Sequence, residues 1–361
     1  MNRLVLLLVL ASAPRCAPSP AVSARAEAFG SDFEGYGKEA QGGAGKPVCV
    51  VHSTVDECLQ PGGRVSNRTI VFAADTVAGP RGNRYIADNV TLDGCASGRS
   101  GVTITQPADA KRGIIVEGPA SNVIVRCIRF EGQAGGKRPG AKTEFDLLGL
   151  DGDQAPVSLV VVDRVTIVGA TDGALDITGN VSDVTVQRTL LYGTPLAQLI
   201  KYGSRRRISL HHNVYVGNGE RNPQIRGDAQ DVDFVSNVVD DCSIKQDAVG
   251  GRFAPYGLRI DNHDGAVSAN VVDNFLGCPS QVIGTGGHVY TSGNAGPGAF
   301  QGNADEPNPV PPGFAVVPTP VEELAATLAE VGSPNRTPDD EVRLQTATAA
   351  VDAWKASARK P

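Results

Sequence analysis

The chain has 361 residues, a formal net charge of -6, 41% hydrophobic residues and 43 glycines. That composition fits one large or two ordinary globular domains, and it excludes a disordered or membrane-embedded chain. The acidic balance gives no basic footprint for nucleic acid, so neither a nucleic acid nor a membrane is expected as a partner.

Met1-Asn2-Arg3 and the apolar run Leu4 to Leu10, followed by the small residues Ala21 to Ala24, read as a secretory signal ending near Ala24 or Ala26. Ala13-Pro14-Arg15 before Cys16 is a poor lipoprotein processing site. Losing the signal removes Cys16 and leaves six cysteines, an even number in an exported chain. Cys49 with Cys58, Cys95 with Cys127 and Cys242 with Cys278 are plausible neighbouring bridges, although sequence alone does not settle the connectivity. No spacing suggests zinc.

Short β-branched runs then recur without long helical periods between them, among them Asn122-Val-Ile-Val, Leu159-Val-Val-Val, Asp183-Val-Thr-Val, Arg207-Ile-Ser-Leu and Asp231-Val-Asp-Phe. Val160, Val184, Ile208 and Val232 recur about every 24 residues, the signature of a solenoid coil built from strands. Asn213 and Asn237 share one phase and read either as a stacked amide ladder or as turn residues. The stretch after the signal is expected to cap one end. Asn303 to Pro318 reads as a proline-rich linker. Thr319-Pro320-Val321-Glu322 and Thr337-Pro338-Asp339-Asp340 each predict the start of a short helix packed on the coils.

Residues one period apart lie above each other, about 4.8 Å apart. Gly173 lies two periods before Arg221 and is preceded by Asp172, while Asp146 falls close to one period before Asp172. Glu144, Asp146, Asp172 and Asp176 would therefore converge and repel one another unless a cation joined them. Calcium suits such a set, with its six to eight oxygen ligands in flexible geometry. Arg221-Asn-Pro-Gln-Ile-Arg226 sets two guanidinium groups beside this acidic wall, a pairing suited to carboxylates. Lys201, Arg205, Arg206, Arg207, Arg252 and Arg259 add positive charge to the same half. His211 and His212 are expected to alternate inward and outward in structural roles.

Arg-x-Pro-x-x-Arg following His211-His212-Asn213 resembles the active-site signature of the pectate lyases of polysaccharide lyase family 1. Asp-Gly-Ala-Leu-Asp-Ile and Glu-Phe-Asp resemble that family's calcium-ligand segments. Further echoes are Glu34-Gly-Tyr-Gly, Gly42-Gly-Ala-Gly and Arg68-Thr-Ile-Val-Phe, and the likeness runs from about Glu27 to Ala295.

The resemblance implies an all-β, right-handed parallel β-helix. It also implies a secreted, monomeric pectate lyase that cleaves polygalacturonate by calcium-assisted β-elimination to 4,5-unsaturated oligogalacturonides. Arg221 would be the base, Arg226 a ligand of the substrate carboxylate, and Glu144, Asp146, Asp172 and Asp176 the Ca2+ site. An arginine base requires surroundings that favour its neutral form, through desolvation and the nearby calcium charge.

The chain departs from the family where a substrate-binding lysine is usual: Gln198 stands there, with Lys201 three residues on as a substitute. Asp163-Arg164 replaces a usual Asp-His pair, which marks a divergent branch. The division expected is 1–26 signal, 27–300 β-helix lyase domain, and 301–361 linker and short helical tail. A calcium-free pectin lyase and a non-catalytic carbohydrate-binding β-helix are the alternatives. A polygalacturonase-type hydrolase would use paired carboxylates around a water and leave the arginine motif without a role.

Overall fold

The computed structural model describes residues 32–107, 113–132, 146–243, 256–278, 280–283, 287–301, 306–310 and 315–358. The expected signal, Glu144 and Arg252 lie outside them. Among the described residues the strands pair in parallel, in one sheet of 18 strands and one of 8. The larger sheet supplies two faces of each coil, because Leu148–Asp163 and Gly173–Gln187 run continuously from one face to the next. The smaller sheet forms the third face, and the whole is a right-handed parallel β-helix.

The 24-residue phase is real: Val160 pairs with Val184, Val184 with Ile208, and Ile208 with Val232. Isoleucine, valine and leucine side chains from every coil stack into one continuous core, so each short strand is covered by its neighbours along the axis. The next step is longer, Asn237 to Asn274 being 37 residues, and a disulfide between Cys242 and Cys278 spans that coil. The other bridges join Cys49 to Cys58 and Cys95 to Cys127. All three neighbouring pairs are thus formed.

Asn213 and Asn237 form a ladder inside the coil corner. Asn213 Nδ2 donates to Asn237 Oδ1 at 3.1 Å, Asn237 Nδ2 to Asn274 Oδ1 at 3.0 Å, and Asn274 Nδ2 to Asn294 Oδ1 at 2.8 Å. Each amide also donates to a main-chain carbonyl, Leu210 O for Asn237 and Phe234 O for Asn274, so these buried polar groups are satisfied.

The amino-terminal arm corrects one expectation. Instead of capping an end, it runs along the second face across the coils: Gly43 N donates to Thr91 Oγ1 at 2.8 Å, Gly42 N to Asn122 Oδ1 at 2.8 Å and Gly37 N to Thr185 Oγ1 at 2.9 Å. A Cβ on Gly37 would sit 2.4 Å from Val160 O, and only glycine allows so close an approach. The first coil is covered by the turn Val55–Glu57, capped by Thr54 and Glu57 and held by the Cys49–Cys58 bridge.

The tail packs on the third face. Leu324, Leu328, Leu344, Ala347 and Val351 meet Leu190, Val214, Val238 and Phe275 of the coils. A short helix occupies Leu324–Thr327, but the second helix, Pro338–Ala358, is 21 residues rather than short. Leu344, Ala347 and Val351 recur at helical spacing and keep one face buried along it. Asp340 at its start is fully buried and accepts from Arg129 Nε at 3.1 Å.

Candidate active site

The first face of the coils carries the predicted residues, and alternation along its strands decides which of them point outward. Registers place Gly149, Asp176, Leu199, Gln224 and Arg259 in one row. Two residues further along, Asp151, Thr178 and Lys201 form a second row, which Arg226 and Asp261 continue. The two rows are about 7 Å apart along the strands.

Asp146 and Asp176 meet at the start of the first row, with Asp172 near enough for its charge to reach Asp176. Asp146 Oδ1 accepts from Gly173 N at 2.9 Å. A Cβ on Gly173 would lie 2.5 Å from Asp176 Oδ1 and 2.6 Å from Asp146 Oδ1, so both carboxylates crowd the same glycine. Asp176 Oδ1 also accepts from Leu199 N at 3.0 Å. Burial and the charge of Asp146 hold the Asp176 carboxyl well above the usual range, with Asp172 adding to the effect and Arg221 and the Leu199 N–H opposing it. A cation placed there would reverse that cost, so this donor set fits calcium in its chemistry. Among the described residues, no three acids, histidines or cysteines already stand at metal-binding distances.

Arg221 follows from the next coil. Its carbonyl accepts from Gln198 N at 2.7 Å, and it takes a left-handed φ of 61°. The neighbouring Asn222 is buried and fixes this turn, donating from Nδ2 to Gly219 O at 3.1 Å and to Tyr256 O at 3.0 Å. Asp176, Glu220 and Tyr256 all sense the Arg221 charge. Burial raises Glu220, with Arg221 and Arg259 opposing, and pushes Tyr256 up to about 12. The structure thus brings Asp146 and Asp176 together, within reach of the charges of Asp172 and Arg221.

In the second row, Arg226 Nε lies 3.2 Å from Asp261 Oδ1, and Arg226 Nη2 lies 3.3 Å from Asp264 Oδ2. Lys201 Nζ is 3.8 Å from the same Asp264 oxygen and 4.3 Å from the centre of the Tyr202 ring. Lys201 and Arg226 are therefore neighbours on the outer face.

Gln198 is a correction. It is 0% exposed, and its Oε1 accepts from Tyr215 OH at 2.6 Å. It pairs with the core residue Leu175, while Leu199 shares the Asp176 phase, so the Gln198 side chain points into the solenoid and cannot touch a ligand outside it. Arg205, one of the cations expected to add charge to this half, is fully buried. Its guanidinium donates to Gly203 O and, at 2.8 Å, to Arg226 O, and burial lowers it to about 10. His211 and His212 do not alternate on a strand. His211 ends Arg205–His211, His212 turns with φ 53°, and their Nδ1 atoms lie 2.9 Å apart.

Sequence reasoning missed Asp261 and Asp264. They sit in Asp261-Asn-His-Asp-Gly265, whose composition signals a turn, and the longer coil before them hides their phase.

Known proteins share both this architecture and part of this sequence. No protein-family model matches the chain. The probable pectate lyase C of Neosartorya fischeri is 28% identical over 280 residues, which cover 75% of this chain and 58% of that protein. The chain thus spans little more than half the length of that curated relative. The solved structure of Jun a 1, the major allergen from cedar pollen, superposes with a TM-score of 0.63 at 14% identity, covering 83% of this chain and 92% of that one. A pectate lyase from Bacillus sp. N165 in complex with trigalacturonate superposes with a TM-score of 0.57 at 14% identity, covering 84% and 99%. The chain is similar in sequence to pectate lyases and shares the fold of these structures.

Proposed function

We propose that the chain is a secreted pectate lyase that cleaves polygalacturonate by β-elimination, with calcium held by Asp146, Asp172 and Asp176 and completed by Glu144. The observation that carries this reading is the crowding of Asp146 and Asp176 at Gly173, within reach of the charges of Asp172 and Arg221, in a chain related to proteins named pectate lyase. The six cysteines that follow the expected signal form three bridges, which supports an oxidising, extracellular setting.

Arg226 and Lys201, neighbours in the second row, bind uronate carboxylates and orient the sugar chain. Arg221 accepts the proton at C5, next to the uronate carboxylate. The C5–H electrons form the C4–C5 double bond, the C4–O bond breaks, and the departing oxygen takes up a proton. When bound, calcium supplies positive charge to the carboxylate as negative charge develops there. Attacking water has no part in this route, which separates it from hydrolysis. Mass spectrometry of a polygalacturonate digest tests the reading: unsaturated non-reducing ends support it, and only saturated oligomers reject it.

A further inference from the structure

The second row of the site already holds a carboxylate, and the protein supplies it. Asp264 Oδ2 lies 3.3 Å from Arg226 Nη2 and 3.8 Å from Lys201 Nζ, and its other oxygen lies 2.8 Å from His263 Nδ1. The Asp264 side chain is 52% exposed, on a turn in which Gly265 N donates to Asn262 O. Asp261 differs: it is buried, and Arg226, Arg259 and Gln224 all reach it. One acid is an anchor. The other is a solvent-facing carboxylate resting between two cations.

We propose that Asp264 is an internal stand-in for a uronate carboxylate, occupying the Lys201–Arg226 subsite in the free protein and giving it up when an acidic sugar chain binds. This rests on the reading of Lys201 and Arg226 as substrate-binding residues. Three features support it. The two cations come from adjacent coils and converge on one oxygen, as they would on a ligand carboxylate. Their partner is exposed and hangs on a short turn, so letting go disturbs no core packing. Tyr202, 53% exposed, stands beside Lys201 and offers an apolar ring to the C–H face of a sugar in the same place.

Asp264 therefore competes with substrate and lowers the apparent affinity for short acidic oligosaccharides. It also keeps Lys201 and Arg226 from pairing with other anions while the cleft is empty.

The test measures trigalacturonate binding by calorimetry in an Arg221→Ala background, where turnover is absent, together with KM on polygalacturonate in the otherwise unaltered protein. Asp264→Ala is expected to bind roughly three- to tenfold more tightly, in keeping with the loss of one or two exposed ion pairs. Asp264→Asn, which keeps the turn geometry without the charge, should gain less. KM should fall in parallel with kcat unchanged, and adding Lys201→Ala and Arg226→Ala should abolish the gain. Unchanged or weaker binding in both Asp264 variants would overturn the proposal, because Asp264 would then be ordering the two cations rather than competing for them. The lyase reading fails separately, if the unaltered protein yields no unsaturated product. Calorimetry still decides the subsite in that case, tightening supporting it and no tightening rejecting it.

Discussion

Asp146 and Asp176, on adjacent coils, each place an Oδ1 oxygen against the same glycine, Gly173, which has no side chain to keep them apart. The parallel register produces this: Leu148 pairs with Leu175, so Asp146 falls beside Gly173, three residues before Asp176.

Gly173→Ala should separate cation affinity from stability. The new methyl group would meet the ends of two carboxylate side chains rather than backbone. Those ends can swing aside, so Tm should shift by only a few degrees. The calcium concentration that gives half-maximal activity should rise at least tenfold. Calcium titration of initial rates beside a melting curve checks both.

The histidine pair, His211 buried and His212 half-buried, should make the fold sensitive to mild acid. Burial lowers His211 well below 6.5, with His212 and Arg188 adding to the effect, and burial also lowers His212. A histidine depressed in the folded state contributes stability that is complete above its unfolded value, about 6.5, and is lost as pH falls below it. Asp233 works the other way: burial raises it to about 6, and its contribution is lost as pH rises from 3.8 through that value. The difference between wild type and His211→Gln/His212→Gln isolates the histidines. Between pH 7.5 and 5 the wild-type Tm should fall more steeply than the double variant's.

Arg205→Met should act on Arg226 from beneath. The buried guanidinium holds Gly203 O and Arg226 O on the two adjacent turns. Removing it takes a charged donor from both carbonyls, at a cost of about 2 kcal/mol. Urea unfolding should show that loss. On the proposed roles, KM should rise more than kcat falls, because the change displaces Arg226 rather than Arg221.

The Cys242–Cys278 bridge closes a 36-residue separation in the coil behind the Arg221 turn, and Cys242 Sγ lies 3.4 Å from Asn222 Nδ2. Cys242→Ser/Cys278→Ser should lose about 4 kcal/mol from loop entropy. It should also lose activity at temperatures where the rest of the helix stays folded. Far-ultraviolet circular dichroism and rate measurements on the same heated sample check this.

The coil stack was legible because its spacing is even: Val160, Val184, Ile208 and Val232 carry the core phase without interruption. Asp146, Asp172, Asp176 and Arg221 fall within the same regular stretch, so their nearness could be read from spacing and motif together. Legibility ended where spacing broke. Asp261 and Asp264 follow a longer coil, and no period links them to Arg226. Gln198 was misjudged because Ala197-Gln198-Leu199 does not reveal which residue faces the core, a choice made by the pairing of Gln198 with Leu175. The arm of Glu34 to Gly43 was misplaced because glycines signal close approach without saying to what.

The most direct test of the central claim is the ultraviolet absorbance of unsaturated uronide during incubation with polygalacturonate, for wild type and Arg221→Ala, first with calcium and then with chelator. The account predicts absorbance that grows only with calcium and is lost in Arg221→Ala. Reducing sugar released without absorbance, or an Arg221→Ala protein as active as wild type, would contradict it.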